Sequence, residues 1–155
     1  YRLLVYNDFL KRVIILGKEK VSQFVFTDSN GRERLFKVLD AGRNLRLTSR
    51  TYFQEVIAEG TVSVYKLYFR DIAPLRAPEM PFIDEFVNGS NYYCVYGGAW
   101  EQAKMHRSYL IKKFPAHKNE LRQFIRDKKL RAKEDQDLRE IIHYLNQLLV
   151  LEKNQ

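Results

Sequence analysis

The chain has 155 residues, 45% apolar and 14% aromatic, a composition that excludes a disordered or low-complexity chain and suffices for a folded core. No aliphatic run is longer than Val13-Ile14-Ile15-Leu16, far short of the ~18 to 20 apolar residues that span a bilayer, and its one cysteine, Cys94, excludes an internal disulfide. The net charge of +8 is uneven: residues 1–70 carry 13 Lys/Arg against 7 Asp/Glu, residues 71–103 carry 1 against 5, and residues 104–155 carry 13 against 7. Two basic regions thus flank an acidic middle, a balance that suits anionic partners as well as plain solubility.

In chain order, Arg2 to Tyr6 and Arg12 to Leu16 read as strands separated by the polar break Asn7-Asp8. Val21 to Thr27 is rich in β-branched and aromatic residues and predicts a third strand. Ser29-Asn30-Gly31 follows, and its Asn-Gly pair predicts a tight hairpin of the type I′ kind, with Glu33 to Leu39 returning. After a turn at Asp40-Ala41-Gly42, the alternation in Asn44 to Thr48 predicts a half-exposed strand. Tyr52 to Ala58 and Thr61 to Phe69 predict another hairpin around Glu59-Gly60.

Residues Asp71 to Gly89 hold three of the four prolines (Pro74, Pro78, Pro81) and most of the acidic excess. Proline removes backbone donors and blocks helix, so this stretch is expected to be a crossing loop and the main seam of the chain. Its apolar residues (Leu75, Met80, Phe82, Ile83, Phe86) imply packing against the body. A final hairpin is expected from Asn91 to Tyr96 and Ala99 to Lys104 around Gly97-Gly98.

From about Ser108 the apolar period becomes helical. A short helix over Ser108 to Phe114 is stopped by Pro115, and a second runs from Lys118 to Lys129 with Leu121, Phe124 and Ile125 on one face. A third starts near Asp135 or Asp137, acids suited to a helix N-terminus, and continues to about Leu151. Its stripe is Leu138, Ile141, Ile142, Leu145, Leu148 and Leu149. The reading is an α+β chain: an antiparallel β-meander, as a sheet or partly rolled barrel, with a C-terminal helical cap of two to three helices. It forms one domain, residues 1–104 being the β-rich body and 105–155 the cap.

The search for chemistry returns little. His106, His117 and His143 have no second histidine at i+3 or i+4, so no metal or cofactor is expected. No Gly-x-Ser-x-Gly elbow or phosphate-binding glycine loop is present. Cys94 lies among tyrosines and is expected to be buried and inert. Asp84-Glu85 is an acidic pair without a partner group, so no catalytic residue is assigned. Two surfaces remain as binding candidates. One is the proline-rich loop with Phe82 and the tyrosines Tyr92, Tyr93 and Tyr96, which are expected to be exposed. The other is the basic patch Arg122, Arg126, Lys128, Lys129, Arg131 and Lys133 on the second helix and its following loop. Nucleic-acid binding through that patch is the alternative function, though the strands lack an RNA-binding sheet motif. Insertion of the second helix into a membrane is disfavoured because its apolar face is needed for packing.

The tail reads RSYLIKKFP over 107–115, KNELRQFI over 118–125, KKLRAK over 128–133 and DLREIIHYLN over 137–146. It resembles the C-terminal ending "LLKLFPxKKxxLKxFIKxNKLxFKxxxDLxxLxxYxN" of a group of uncharacterised exported Bacteroidetes proteins. FQEVIAEGTVSVYK over 53–66 is similar to that group's "EVLxEGxVSLYK" segment. Tyr144-Leu145-Asn146 departs from the two aromatics that many of them carry there. The resemblance implies a β-rich body with a helical end, an upstream signal peptide, a periplasmic or envelope location and an envelope partner. An upstream segment also fits a chain that opens on Tyr1 without methionine. The expectation is therefore a non-enzymatic binding or structural component of the bacterial cell envelope, with a cytoplasmic location as the alternative.

Overall fold

The computed structural model describes residues 3–7, 9–16, 20–39, 52–74, 84–104, 106–132 and 134–153. Strands β1 (Leu3–Asn7) and β2 (Arg12–Leu16) pair antiparallel as a small sheet of their own. The large sheet takes β3 (Gln23–Thr27), β4 (Glu33–Leu39), β5 (Tyr52–Ala58), β6 (Val62–Pro74), β7 (Asp84–Tyr96) and β8 (Ala99–Ala103), in that spatial order and all antiparallel. It is an open meander and does not close into a barrel. Helices α1 (Arg107–Lys113), α2 (Lys118–Asp127) and α3 (Asp135–Lys153) complete the α+β chain, with a 3-10 turn at Pro115–His117 between the first two.

Two turns separate what glycine does in each. The β3–β4 connection is not type I′, because Asn30 keeps negative φ and only Gly31 is left-handed, at +74°. Asp28 and Arg32 still pair through Asp28 N–H to Arg32 O at 3.0 Å, so three residues form the loop, a type I turn closed by a glycine bulge. The Asp28 carboxylate holds it by accepting from the N–H groups of Asn30 and Arg32. The type I′ geometry occurs instead at Gly97-Gly98, where both residues have positive φ and Tyr96 pairs directly with Ala99.

The expected crossing loop over 71–89 is a correction. β6 and β7 pair residue for residue from Val62–Tyr96 out to Pro74–Asp84, one long ribbon of two 13-residue strands. Pro74 is tolerated because it stands at the last pair of the ladder, where a missing donor costs least. Gly89, expected in a loop, stands opposite Phe69, and a Cβ there would collide with that ring. The glycine thus gives the aromatic a place to lie across the ribbon. The expected strand at Asn44 to Thr48, and Leu75 to Ile83 of the proline-rich stretch, lie outside the described residues.

The core forms where α3 crosses the central strands. Ile57, Val62, Val64 and Cys94 from the sheet meet Leu110 and Phe114 at the α1 end, Leu121 and Ile125 of α2, and Leu138, Ile141, Ile142, Leu145 and Leu149 of α3. The helical stripe thus lies inside as its spacing predicts, except that Leu148 is only half-buried. α2 lies against α3, and Phe124 stacks flat on Tyr144 with ring centroids 4.1 Å apart. A bulge at Ile57 turns β5, and Arg139 of α3 donates from Nε to the Ile57 carbonyl at 2.9 Å.

Candidate anion-binding cleft

The basic patch falls on one wall of a cleft of about 620 Å³ between α1 and α2. On α2, Arg122, Ile125 and Arg126 recur at i, i+3 and i+4 and so share one face, which Lys129 joins from just past the helix end. On α1, Arg107, Ser108, Ile111 and Lys112 form the opposing face, and the loop residues Leu130 and Arg131 close the end. Among the described residues the lining therefore holds six cations and no carboxylate. None of these six side chains forms an ion pair or hydrogen bond among the described residues.

The end of α2 explains how the loop residues reach the cleft. Leu130 N–H donates to Ile125 O at 2.9 Å and Lys129 N–H to Arg126 O at 3.0 Å, the paired bonds of a Schellman cap. That cap requires a left-handed residue, and Lys129 supplies it at φ +55° where glycine is the usual choice. The turn puts the Lys129 charge and the Leu130 side chain on the cleft side. Asp137, in the first turn of α3, then fixes the next residues by accepting from the N–H groups of Arg131 and Ala132 at 2.8 and 3.0 Å.

Of the expected patch, Arg122, Arg126, Lys129 and Arg131 converge in the cleft; Lys128 is exposed beside it, and Lys133 lies outside the described residues. Sequence reasoning missed Arg107, Ser108 and Lys112. Their signal was present as a basic face on a short helix, but its approach to α2 is tertiary. His106, the residue before α1, places Nδ1 2.7 Å from Ser108 Oγ at the rim.

The expected exposure of the tyrosines holds for one of the three. Tyr93 is 4% exposed: alternate residues of β7 point to opposite faces, and Tyr93 is buried opposite Tyr65 on the face away from the helices. Tyr92 is half-buried and donates to Asp135 Oδ1 at 2.5 Å. Tyr96 alone is exposed, at 42%, and meets Phe114 edge-on. Phe82 lies outside the described residues, as do the side chains of Asp84 and Glu85. Cys94 is fully buried, and burial pushes its thiol up to about 11. His143 is exposed, whereas His117 is buried with Nε2 3.2 Å from Glu152 Oε1.

A second polar site of about 220 Å³ sits where the sheet meets the start of α3. Arg34 forks onto Glu55 at 2.8 and 2.7 Å, and Tyr68 donates to the same carboxylate at 2.6 Å. Lys66 pairs with Asp135 at 2.7 Å and lies over the Tyr68 and Tyr92 rings. Burial alone would raise the Glu55 carboxyl; the Arg34 fork and the Tyr68 hydroxyl outweigh it and hold the group below its ordinary value. Burial with the Glu55 charge pushes the Tyr68 phenol up to about 12. Here the charges answer one another, so the site reads as a clamp joining α3 to the sheet. The α1–α2 cleft is the opposite case, with cations that no described residue answers.

No helix of the described residues is long and apolar enough to cross a membrane. No protein-family model matches the sequence, and neither the curated proteins nor the solved structures yield a match.

Proposed function

We propose that this protein is a non-enzymatic binding component that holds an anionic ligand in the α1–α2 cleft, and that it works in the bacterial cell envelope. The observation that carries the binding reading is the six unanswered cations around a single concavity. A cluster of like charges raises the local concentration of anions, and an entering anion relieves repulsion that the fold leaves uncompensated. Four of the six are arginines, whose rigid forked donors match phosphate or carboxylate oxygens two at a time. The envelope location rests on the resemblance of the tail and of residues 53–66 to exported proteins.

The non-enzymatic part is supported by the reactive groups themselves. Cys94 is buried away from the cleft with its thiol protonated. The Ser108–His106 pair joins residues two apart in solvent, and no other described residue orients the imidazole as a nucleophile's base requires. Calorimetric titration with sodium pyrophosphate tests the reading. The native chain should bind with an affinity that falls as salt rises, and the Arg122→Glu/Arg126→Glu double variant should lose at least tenfold. A native chain that takes up no pyrophosphate, or a double variant that binds it equally well, overturns the cleft as an anion site.

A further inference from the structure

Resting on that reading of the cleft, we infer that its ligand is a phosphorylated amphiphile, bound as one molecule with its phosphate among the arginines and an apolar segment along the floor. Three features of the cleft point there. The first is size. A volume of about 620 Å³ lies in the middle of the ~300–1,000 Å³ range of pockets that enclose whole small organic molecules, and is more than a bare phosphate fills.

The second is the division of the lining. The cations are all exposed, whereas Ile125 is buried and Ile111 and Leu130 are half-buried against the core. Charge stands at the rim and hydrocarbon at the bottom. An inorganic anion would leave that hydrocarbon wet, and a purely apolar ligand would leave the cations unanswered. An amphiphile satisfies both, because each methylene taken from water adds favourable free energy while the head group meets the guanidinium forks.

The third is the absence of aromatic side chains from the lining among the described residues. Single-stranded nucleic acid is held by a basic groove together with rings on which bases stack. Phe124, the aromatic of α2, turns the other way and stacks on Tyr144. The cleft thus has the charge of a nucleic-acid site without its stacking surface.

The test titrates the purified chain with four probes, each below its micelle-forming concentration. They are dihexanoyl phosphatidic acid, dihexanoyl phosphatidylcholine, inorganic phosphate and a single-stranded oligonucleotide. Phosphatidic acid should bind at least tenfold tighter than inorganic phosphate and than the zwitterionic lipid. Shortening its chains should weaken binding by about fourfold per methylene removed from the floor. Leu130→Gln should reduce phosphatidic acid binding about tenfold and leave phosphate binding unchanged. The chain-length series on the native chain gives the same answer should that variant not fold. Equal affinity for phosphate and phosphatidic acid overturns the amphiphile and leaves the anion site standing. Tighter binding of the oligonucleotide, with a steep salt dependence, overturns it in favour of nucleic acid. Binding of none of the four overturns both this inference and the anion site.

Discussion

The side-chain amide of Asn146 satisfies both backbone groups of Val62. Its Oδ1 accepts from Val62 N–H at 2.7 Å, and its Nδ2 donates to Val62 O at 2.9 Å. Val62 is the first residue of β6 and is fully buried, so the amide of α3 acts there as one more rung of a β ladder. Gly60 makes the approach possible, because a Cβ at that position would collide with the same amide. Residues 53–66 and 137–146, the stretches that carry the resemblance to exported proteins, therefore meet at this contact.

Removing the amide leaves two buried backbone groups without partners. Asn146→Ala should cost roughly 2–4 kcal/mol, since an orphaned buried polar group costs about 1–3 kcal/mol. Gly60→Ala should also destabilise by displacing the amide, although it removes no polar atom. Urea unfolding midpoints measure both. A loss for Asn146→Ala below about 0.5 kcal/mol, the usual size for a surface change, would show that the pairing contributes little.

The Glu55 clamp makes stability depend on acid. Its folded pKa lies below the unfolded value, near 4.5, so its contribution is complete above that value and drains away as pH falls through the lower folded one. Glu55→Gln should be less stable at neutral pH, because the Arg34 guanidinium loses its counter-charge, and should show a shallower further loss between about pH 5 and pH 3. Chemical unfolding across that range decides it: parallel curves for the two proteins would assign the acid sensitivity to other carboxylates.

Lys129 sits in a backbone conformation that glycine adopts more easily, and the left-handed region costs an L-residue about 1 kcal/mol. Lys129→Gly should therefore raise stability by about 0.5–1 kcal/mol while weakening pyrophosphate binding several-fold. Stability and binding measured on the same sample should move in opposite directions. A variant that loses stability would mean that the lysine side chain contributes more to the fold than its strained backbone costs.

Cys94 is fully buried and its thiol titrates near 11, so almost no thiolate exists at pH 8. The native chain should stay unmodified by a thiol-reactive disulfide over minutes, and denaturant should expose one reactive group. Cys94→Ser should cost about 1–3 kcal/mol by burying a hydroxyl, more polar than the thiol it replaces, in the core. Prompt reaction of the folded chain would place the thiol within reach of solvent.

Much of this architecture was legible as local pattern. Apolar stripes and β-rich runs mark elements because side-chain direction repeats every 3.6 or 2 residues, whatever the element packs against. That is why the α3 stripe, the 52–58 strand and the Gly97-Gly98 turn stand where their residues predict. The acidic, proline-bearing stretch after Phe69 could not be read that way. Its strands are held by partners that stand from Arg70–Asn88 to Pro74–Asp84, well beyond any local period, and Ile72 pairs with Phe86 through bonds that composition does not encode. Tyr93 and Tyr96 likewise look alike in sequence, and only their places in the sheet, Tyr93 opposite Tyr65 on one face and Tyr96 at the strand end on the other, go with the first being buried and the second exposed.

The same division holds for the cleft. The basic face of α2 is written in Arg122 and Arg126, because i and i+4 is a local spacing, and Lys129 joins it through the cap that ends the helix. That it faces Arg107 and Lys112 over a hydrocarbon floor depends on the angle that Phe114 and Pro115 put between two helices, and on the cap that turns Leu130 inward. Local chemistry determined strands, helices and charge; the tertiary structure alone decided which charges meet, because long-range packing sets where one helix lies against the next.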